Sequence, residues 1–305
     1  MRSSELLPDT ARLEKVASGA SWAEGPTWIP DRRAVRFSDV SGNRILEYSE
    51  RTGELSVYAA EVEYTNGRAL APDGSVIQCS QGRRRIERDR DGAVEPLADQ
   101  WNGRRFNSPN DVVVTSDGTI WFSDPSYGIL KDGEGHPGEL EYGDHYVFRL
   151  DPATGAVEPA VLDVRMPNGL AFSPDETILY VSDTSMELPE RTPAGYPGGG
   201  HGIRAYDVAT GRWVKNGRLL LEIQDGLADG FRVDTDGNLW TSAGSAVQVF
   251  TPDGTLLLTI PVPETVGNLC FGGTDGQSLY ITASSSLYRI RTNARDARSS
   301  FLPWS

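Results

Sequence analysis

The feature of this 305-residue chain that most restricts its fold is a repeat. Six times a Glu, Asn or Asp stands seven residues ahead of an Asp: Glu24 with Asp31, Asn66 with Asp73, Asn110 with Asp117, Asn168 with Asp175, Asp229 with Asp236, and Asn268 with Asp275. Thirteen or fourteen residues beyond each first member comes a hydroxyl, at Ser38, Ser80, Ser123, Ser182, Ser242 and Thr282. Strand-forming pairs such as Trp121-Phe122 and Tyr180-Val181 precede these hydroxyls. Self-similarity spread along a whole chain marks a stack or ring of one supersecondary unit.

One unit translates directly into strands. The residues from Asp111 to Thr115 form a first strand, and Asp117 opens a turn through its side-chain hydrogen bonding. A second strand returns from Thr119 to Ser123, and Tyr146 to Leu150 and Val157 to Leu162 supply the third and fourth. Four antiparallel strands per unit make a propeller blade, so six units predict an all-β, six-bladed β-propeller, with residues 1–305 as one domain. The third and fourth units carry insertions at residues 125–144 and 184–202. The last unit shows three strands before Arg291, and Leu13 to Ala17 can provide the fourth. That pairing closes the ring and leaves no exposed edge. The 33 Gly and 19 Pro suit many short strands, and no long stretch follows a 3.6-residue apolar period.

Composition excludes some partners. A net charge of −14 and a pI near 4.7 speak against nucleic acid and anionic membranes. No apolar run is long enough to span a bilayer. The opening MRSSELLPDT has no signal-peptide core, and Cys79 and Cys270 sit far apart in apolar runs, as buried reduced thiols do. These features read as a cytoplasmic protein.

The repeat also carries the chemistry. The first strand of each blade lines the central channel, so the six anchors Glu24, Asn66, Asn110, Asn168, Asp229 and Asn268 should face one another at one mouth. Every member offers a hard oxygen and none a thiolate or imidazole. That set suits Ca2+, Mg2+ or Mn2+, and calcium in particular accepts mixed carboxylate, amide and water oxygens. Taken singly, Asn66-Gly67, Asn168-Gly169 and Asp229-Gly230 fit plain turns. Glu24 does not, and the shared register favours a site. The six turn aspartates read as structural. His136, His145 and His201 read as solvated loop histidines, and Arg83-Arg84-Arg85 as a solvated cluster. No GxSxG elbow or HExxH motif occurs.

The runs EGPTW (24–28), FNSPNDVVV (106–114), IWFSDPSYGI (120–129), MPNGLAFSPDE (166–176), ADGFRVDTDGNLWTSA (228–243) and IPVPETVGNLCFGG (260–273) resemble bacterial gluconolactonases of the SMP-30 family. The resemblance covers about residues 20 to 292. It implies a propeller with one divalent cation, usually calcium, at the channel mouth; Mg2+, Mn2+ and Zn2+ are further candidates. It carries over Glu24, Asn168 and Asp229 as metal ligands, Asn110 as a metal or substrate contact, and Asp229 also as the base that directs water onto a lactone. An arginine near the Asn110 motif binds substrate in animal members. Here Ser108 takes that place, and Arg105 is the neighbouring candidate. Asn66, Asn268 and the insertion residue Tyr127 complete the expected substrate contacts. The implied activity is hydrolysis of a sugar lactone, D-glucono-1,5-lactone first. The alternatives are phosphotriester or aryl-ester hydrolysis on the same architecture, or a scaffold whose metal only holds the ring together.

Overall fold

The computed structural model describes residues 3–187 and 200–302, so most of the expected second insertion lies outside the described residues. Six four-stranded antiparallel sheets follow one another along the chain. Their first strands are Ala23–Ile29, Thr65–Leu70, Val112–Val114, Pro167–Phe172, Phe231–Val233 and Val266–Gly272. Each touches the first strand of the next blade, and the sixth touches the first, which makes a closed ring around an axis. The sixth sheet is completed by Glu14–Ser18, which pairs with Ser286–Arg291 and places Glu14 opposite Arg289 and Ser18 opposite Ser286. The N-terminal segment therefore closes the propeller as expected.

Apolar side chains fill the spaces between blades. Trp121 of the third blade meets Phe172 of the fourth edge-on at 5.3 Å between centroids. Trp240 of the fifth meets Phe271 of the sixth at 5.5 Å, and Tyr280 of the sixth stacks on Trp28 of the first at 5.8 Å. Such pairs add about 0.5–1.5 kcal/mol each beyond their burial. Cys79 and Cys270 are buried, unbonded thiols within this packing.

The repeating hydroxyls have a shared task. Ser38 Oγ donates to the Asn66 carbonyl at 2.8 Å, Ser182 Oγ to the Gly169 and Asp229 carbonyls at 3.3 Å, and Thr282 Oγ1 to the Asn268 carbonyl at 3.1 Å. Ser123 Oγ and Ser242 Oγ accept from the Asp111 and Asp229 amides. These buried hydroxyls satisfy backbone groups of the innermost strands, which the ladder alone leaves unpaired near the axis. Four of the six turn aspartates, Asp73, Asp117, Asp175 and Asp275, accept from the backbone amide two residues on, whereas in the fifth blade Asp234 does so and takes the Asp236 amide.

The far end of the channel is closed by residues 293–302. Asp296 bridges to Asp234, the 3-10 turn Ala297–Ser300 packs by Phe231 and Ala171, and Leu302 joins Ile29, Leu70 and Val76. Access to the axis is left at the mouth where the first strands begin.

Candidate active site

Asn-Gly marks no turn at the mouth, and Asp229-Gly230 forms a bend just ahead of its strand. Asn66-Gly67 lies within Thr65–Leu70 and Asn168-Gly169 within Pro167–Phe172. The ladder slips at these points, between Thr65 and Arg68, between Pro167 and Leu170, and likewise between Glu24 and Thr27. An extra residue in a strand re-aims a side chain, here toward the axis. The glycine is needed for close approach. A Cβ on Gly25 would lie 2.3 Å from the Asn66 carbonyl oxygen, and one on Gly169 would lie 2.4 Å from that of Asp229. Each contact is below any normal separation. The freed space is used for hydrogen bonds between blades, from Gly67 to Asn110, Gly169 to Asp229, and Gly230 to Gly267, at 2.7–2.8 Å.

The result is a small cavity of about 60 Å³ lined by Glu24, Asn66, Asn110, Asn168 and Asp229, with Trp22, Val40, Tyr127, Lys131 and Glu134 above them. Five of the six anchors thus converge. Asn268 is the exception: it is buried, its Oδ1 accepts from the Leu269 amide at 2.8 Å, and its Nδ2 points to Asp111 Oδ2 at 3.3 Å. Its amide is turned beneath the ring, toward a buried layer in which Arg232 lies 3.7 Å from Asp111. Arg105 also stays outside. It is exposed on the short ribbon formed by Gln100–Trp101 and Arg104–Arg105, and donates to the Arg83 carbonyl at 3.3 Å. Ser108 is fully buried and ties down the insertion, donating to the Pro125 carbonyl at 2.8 Å and accepting from the Gly128 amide at 3.0 Å.

Electrostatics single out Glu24. It is 4% exposed. One oxygen, Oε2, accepts from the Gly25 amide at 3.0 Å, while Oε1 is buried with no hydrogen-bond partner. Burial first, then the negative charge of Asp229 and, more weakly, of Asp111, hold its carboxyl well above the usual range. They do so against the opposing pull of the Gly25 amide and of the neighbouring Asn268 side chain, which lies close to the carboxyl without making a well-formed hydrogen bond to Oε1. A buried carboxylate oxygen without a donor costs free energy that a cation at the mouth would recover. Among the described residues no three of His, Cys, Asp and Glu converge as a metal cluster. The donors here are two carboxylates and three amides, a hard-oxygen set that fits a calcium-type ion and poorly suits a soft one.

The cover was only partly legible. Tyr127 opens the short helix Tyr127–Leu130 and is buried at the mouth as expected. Lys131 and Glu134, 3.8 Å apart, also line the cavity, and the Lys131 ammonium lies 4.5 Å from the Tyr127 ring centroid. Lys131 follows Tyr127 by four residues, the spacing that brings side chains together on a helical turn, and that was the available signal. The histidines do not line the cavity. His136 is exposed beside Glu63, whereas His145, expected in solvent, is buried with Nε2 3.0 Å from Ser126 Oγ. Arg84 is likewise buried, donating to the carbonyls of Phe106 and Glu139 and so bracing the cover. Wider clefts of about 510 and 480 Å³ lie beside His145 and beside Arg83, outside the anchor ring.

Comparison with known proteins agrees with this architecture. The model of the SMP-30/gluconolactonase/LRE-like region matches residues 22–285. The gluconolactonase of Zymomonas mobilis subsp. mobilis is 31% identical, over 94% of this chain and 83% of that one. The X-ray structure of a putative gluconolactonase superposes with a TM-score of 0.88 at 40% identity, covering 96% of both chains. That of a gluconolactonase from Xanthomonas campestris gives 0.84 at 38% identity, over 93% of this chain and 90% of that one. By the extent of the family match and the identity to its members, this chain belongs to the SMP-30/gluconolactonase/LRE-like family.

Proposed function

We propose that the chain hydrolyses a sugar lactone, with D-glucono-1,5-lactone as the leading substrate and gluconate as product, at a site that holds one Ca2+ between Glu24, Asn110, Asn168 and Asp229. The observation that carries this reading is the unpartnered Glu24 Oε1, buried at a mouth where Asp229 and three amides converge. Relatives at 31–40% identity named as gluconolactonases support the substrate class.

A lactone is already electrophilic, so the reaction needs a positioned water and a place for the negative charge that develops on the carbonyl oxygen. An ion held by Glu24, Asn110, Asn168 and Asp229 would supply Lewis-acid polarisation of that carbonyl. Asp229 orients the water and takes its proton, a role that contributes about 10²–10⁴-fold when the carboxylate is within hydrogen-bond reach. Glu24 holds its oxygens at the floor of the cavity. Asn66 and Asn110 offer amide groups to the hydroxyls of the sugar, and Tyr127, Lys131 and Glu134 close over them. A cavity of about 60 Å³ admits an ion and a water, well below the roughly 300 Å³ or more of pockets that enclose organic ligands.

The test is a pH-stat assay of chelator-stripped protein, with and without added calcium, against 1,5- and 1,4-lactones, an aryl ester and a phosphotriester. Calcium-dependent turnover of the sugar lactones supports the reading. Turnover confined to the aryl ester or phosphotriester moves the substrate class, and no turnover of any leaves a metal-stabilised scaffold.

A further inference from the structure

A carboxamide can turn either its oxygen or its NH2 toward a site, and only the oxygen binds a cation. What surrounds Asn168 decides between them. Its Nδ2 donates to Thr184 Oγ1 at 3.2 Å. Thr184 is 1% exposed and directly follows the strand Ile178–Asp183. Its Oγ1 lies 3.3 Å from the Met166 carbonyl, to which it donates, and 2.6 Å from the phenol oxygen of Tyr127. The Tyr127 hydroxyl also reaches the Thr184 carbonyl, at 3.1 Å. Whichever way the phenol proton points, the hydroxyl hydrogen of Thr184 has an acceptor in Met166 or Tyr127. The lone pairs facing Asn168 are then left to accept, and an acceptor there requires the NH2 of Asn168. The amide oxygen is thereby turned into the cavity.

We propose that Thr184 is a positioning residue that fixes the carboxamide oxygen of Asn168 toward the cation, and that Tyr127, reaching in from the cover, locks Thr184 in that state. The inference rests on the metal site proposed above. It makes the cover and the metal site one hydrogen-bonded unit: Tyr127, Thr184 and Asn168 in series. Displacement of the cover by substrate would loosen the orientation of one metal ligand, and the cation would favour the closed cover.

The experiment is calorimetric titration of chelator-stripped protein with calcium alone, for the parent, Thr184→Val, Thr184→Ser and Glu24→Gln, with the melting temperature of each metal-free protein measured beside it. Thr184→Val keeps the shape and removes the hydroxyl. It is expected to lose about 10- to 100-fold in calcium affinity, as loss of an outer partner of a ligand does, while Thr184→Ser stays within about threefold of the parent. Parental affinity in Thr184→Val, or failure of serine to restore it, overturns the proposal. If Glu24→Gln still weakens binding in that case, the metal site itself stands. If Glu24→Gln also binds as the parent does, the metal site fails and this inference fails with it. Should Thr184→Val not fold, Tyr127→Phe carries the test. A several-fold weaker affinity supports the series, and parental affinity overturns it.

Discussion

The amide of Gly169 donates to the carbonyl of Asp229 at 2.8 Å, and a Cβ on Gly169 would lie 2.4 Å from that same oxygen. Two neighbouring blades are thus joined by the backbone of a proposed ligand. Gly169→Ala is expected to cost about 1–3 kcal/mol, since backbone must move to admit the methyl group. Urea unfolding of chelated protein measures this, and calcium affinity should fall with it because Asp229 is displaced. Unchanged stability would show that the blades can separate freely at the mouth.

The blade count, the ring closure by residues near Leu13 to Ala17 and the anchor register were legible because each blade repeats one local solution: a strand, a turn held by an aspartate, and a return strand. What escaped depends on contacts between units. Nothing local to Asn168-Gly169 distinguishes a turn from a bulged strand whose glycine meets the next blade. Asn268 has the spacing of its five counterparts, yet its amide is drawn down by Asp111, a residue of a distant blade. Arg84 and His145 look like surface residues in sequence and are buried against the insertion, Arg84 at the Glu139 carbonyl and His145 at Ser126. The segment 293–302 shows no repeat and closes the channel by packing and by backbone bonds to distant residues, as from Asp296 to Asp234.

Lys131 brings a cation to the cavity wall, in a place where Arg105 does not reach. Lys131→Ala is expected to lower kcat/KM for sugar lactones about tenfold, which corresponds to the loss of one hydrogen bond to a charged group. Calcium affinity should be unchanged or tighter, because a like charge is removed. Steady-state kinetics at saturating calcium and calorimetry separate the two effects. A weaker calcium affinity with unchanged kinetics would assign Lys131 to the metal site instead.

Asp124 organises the loop before Asn110. It accepts from the Asn107 and Ser108 amides at 2.7 and 2.8 Å and from the Tyr142 hydroxyl at 2.6 Å. Burial outweighs these donors and pushes its carboxyl up to about 7. An unfolded Asp titrates near 4, so between about pH 4 and 7 the folded chain holds the extra proton and stability falls as pH rises. Above that window the fall levels off. Asp124→Asn should remove this component. Urea unfolding of parent and variant at pH 5.5 and 8.5 checks it, and equal pH slopes in the two would contradict it.

Asp229→Asn keeps an oxygen ligand and removes basicity. At saturating calcium, turnover should fall by about 10²–10⁴-fold, the range of a lost general base. Near-parental turnover under that condition would leave Asp229 as a ligand only and move the base to Glu24.

In the proposed site the buried, unpartnered oxygen of Glu24 is there for a cation. Calorimetric titration of chelator-stripped protein with calcium tests it most directly. The parent should bind one equivalent, and Glu24→Gln, which keeps the shape and removes the charge, should bind more than about 100-fold more weakly, beyond the cost of losing an outer partner. Binding by Glu24→Gln with the affinity and stoichiometry of the parent would contradict the account.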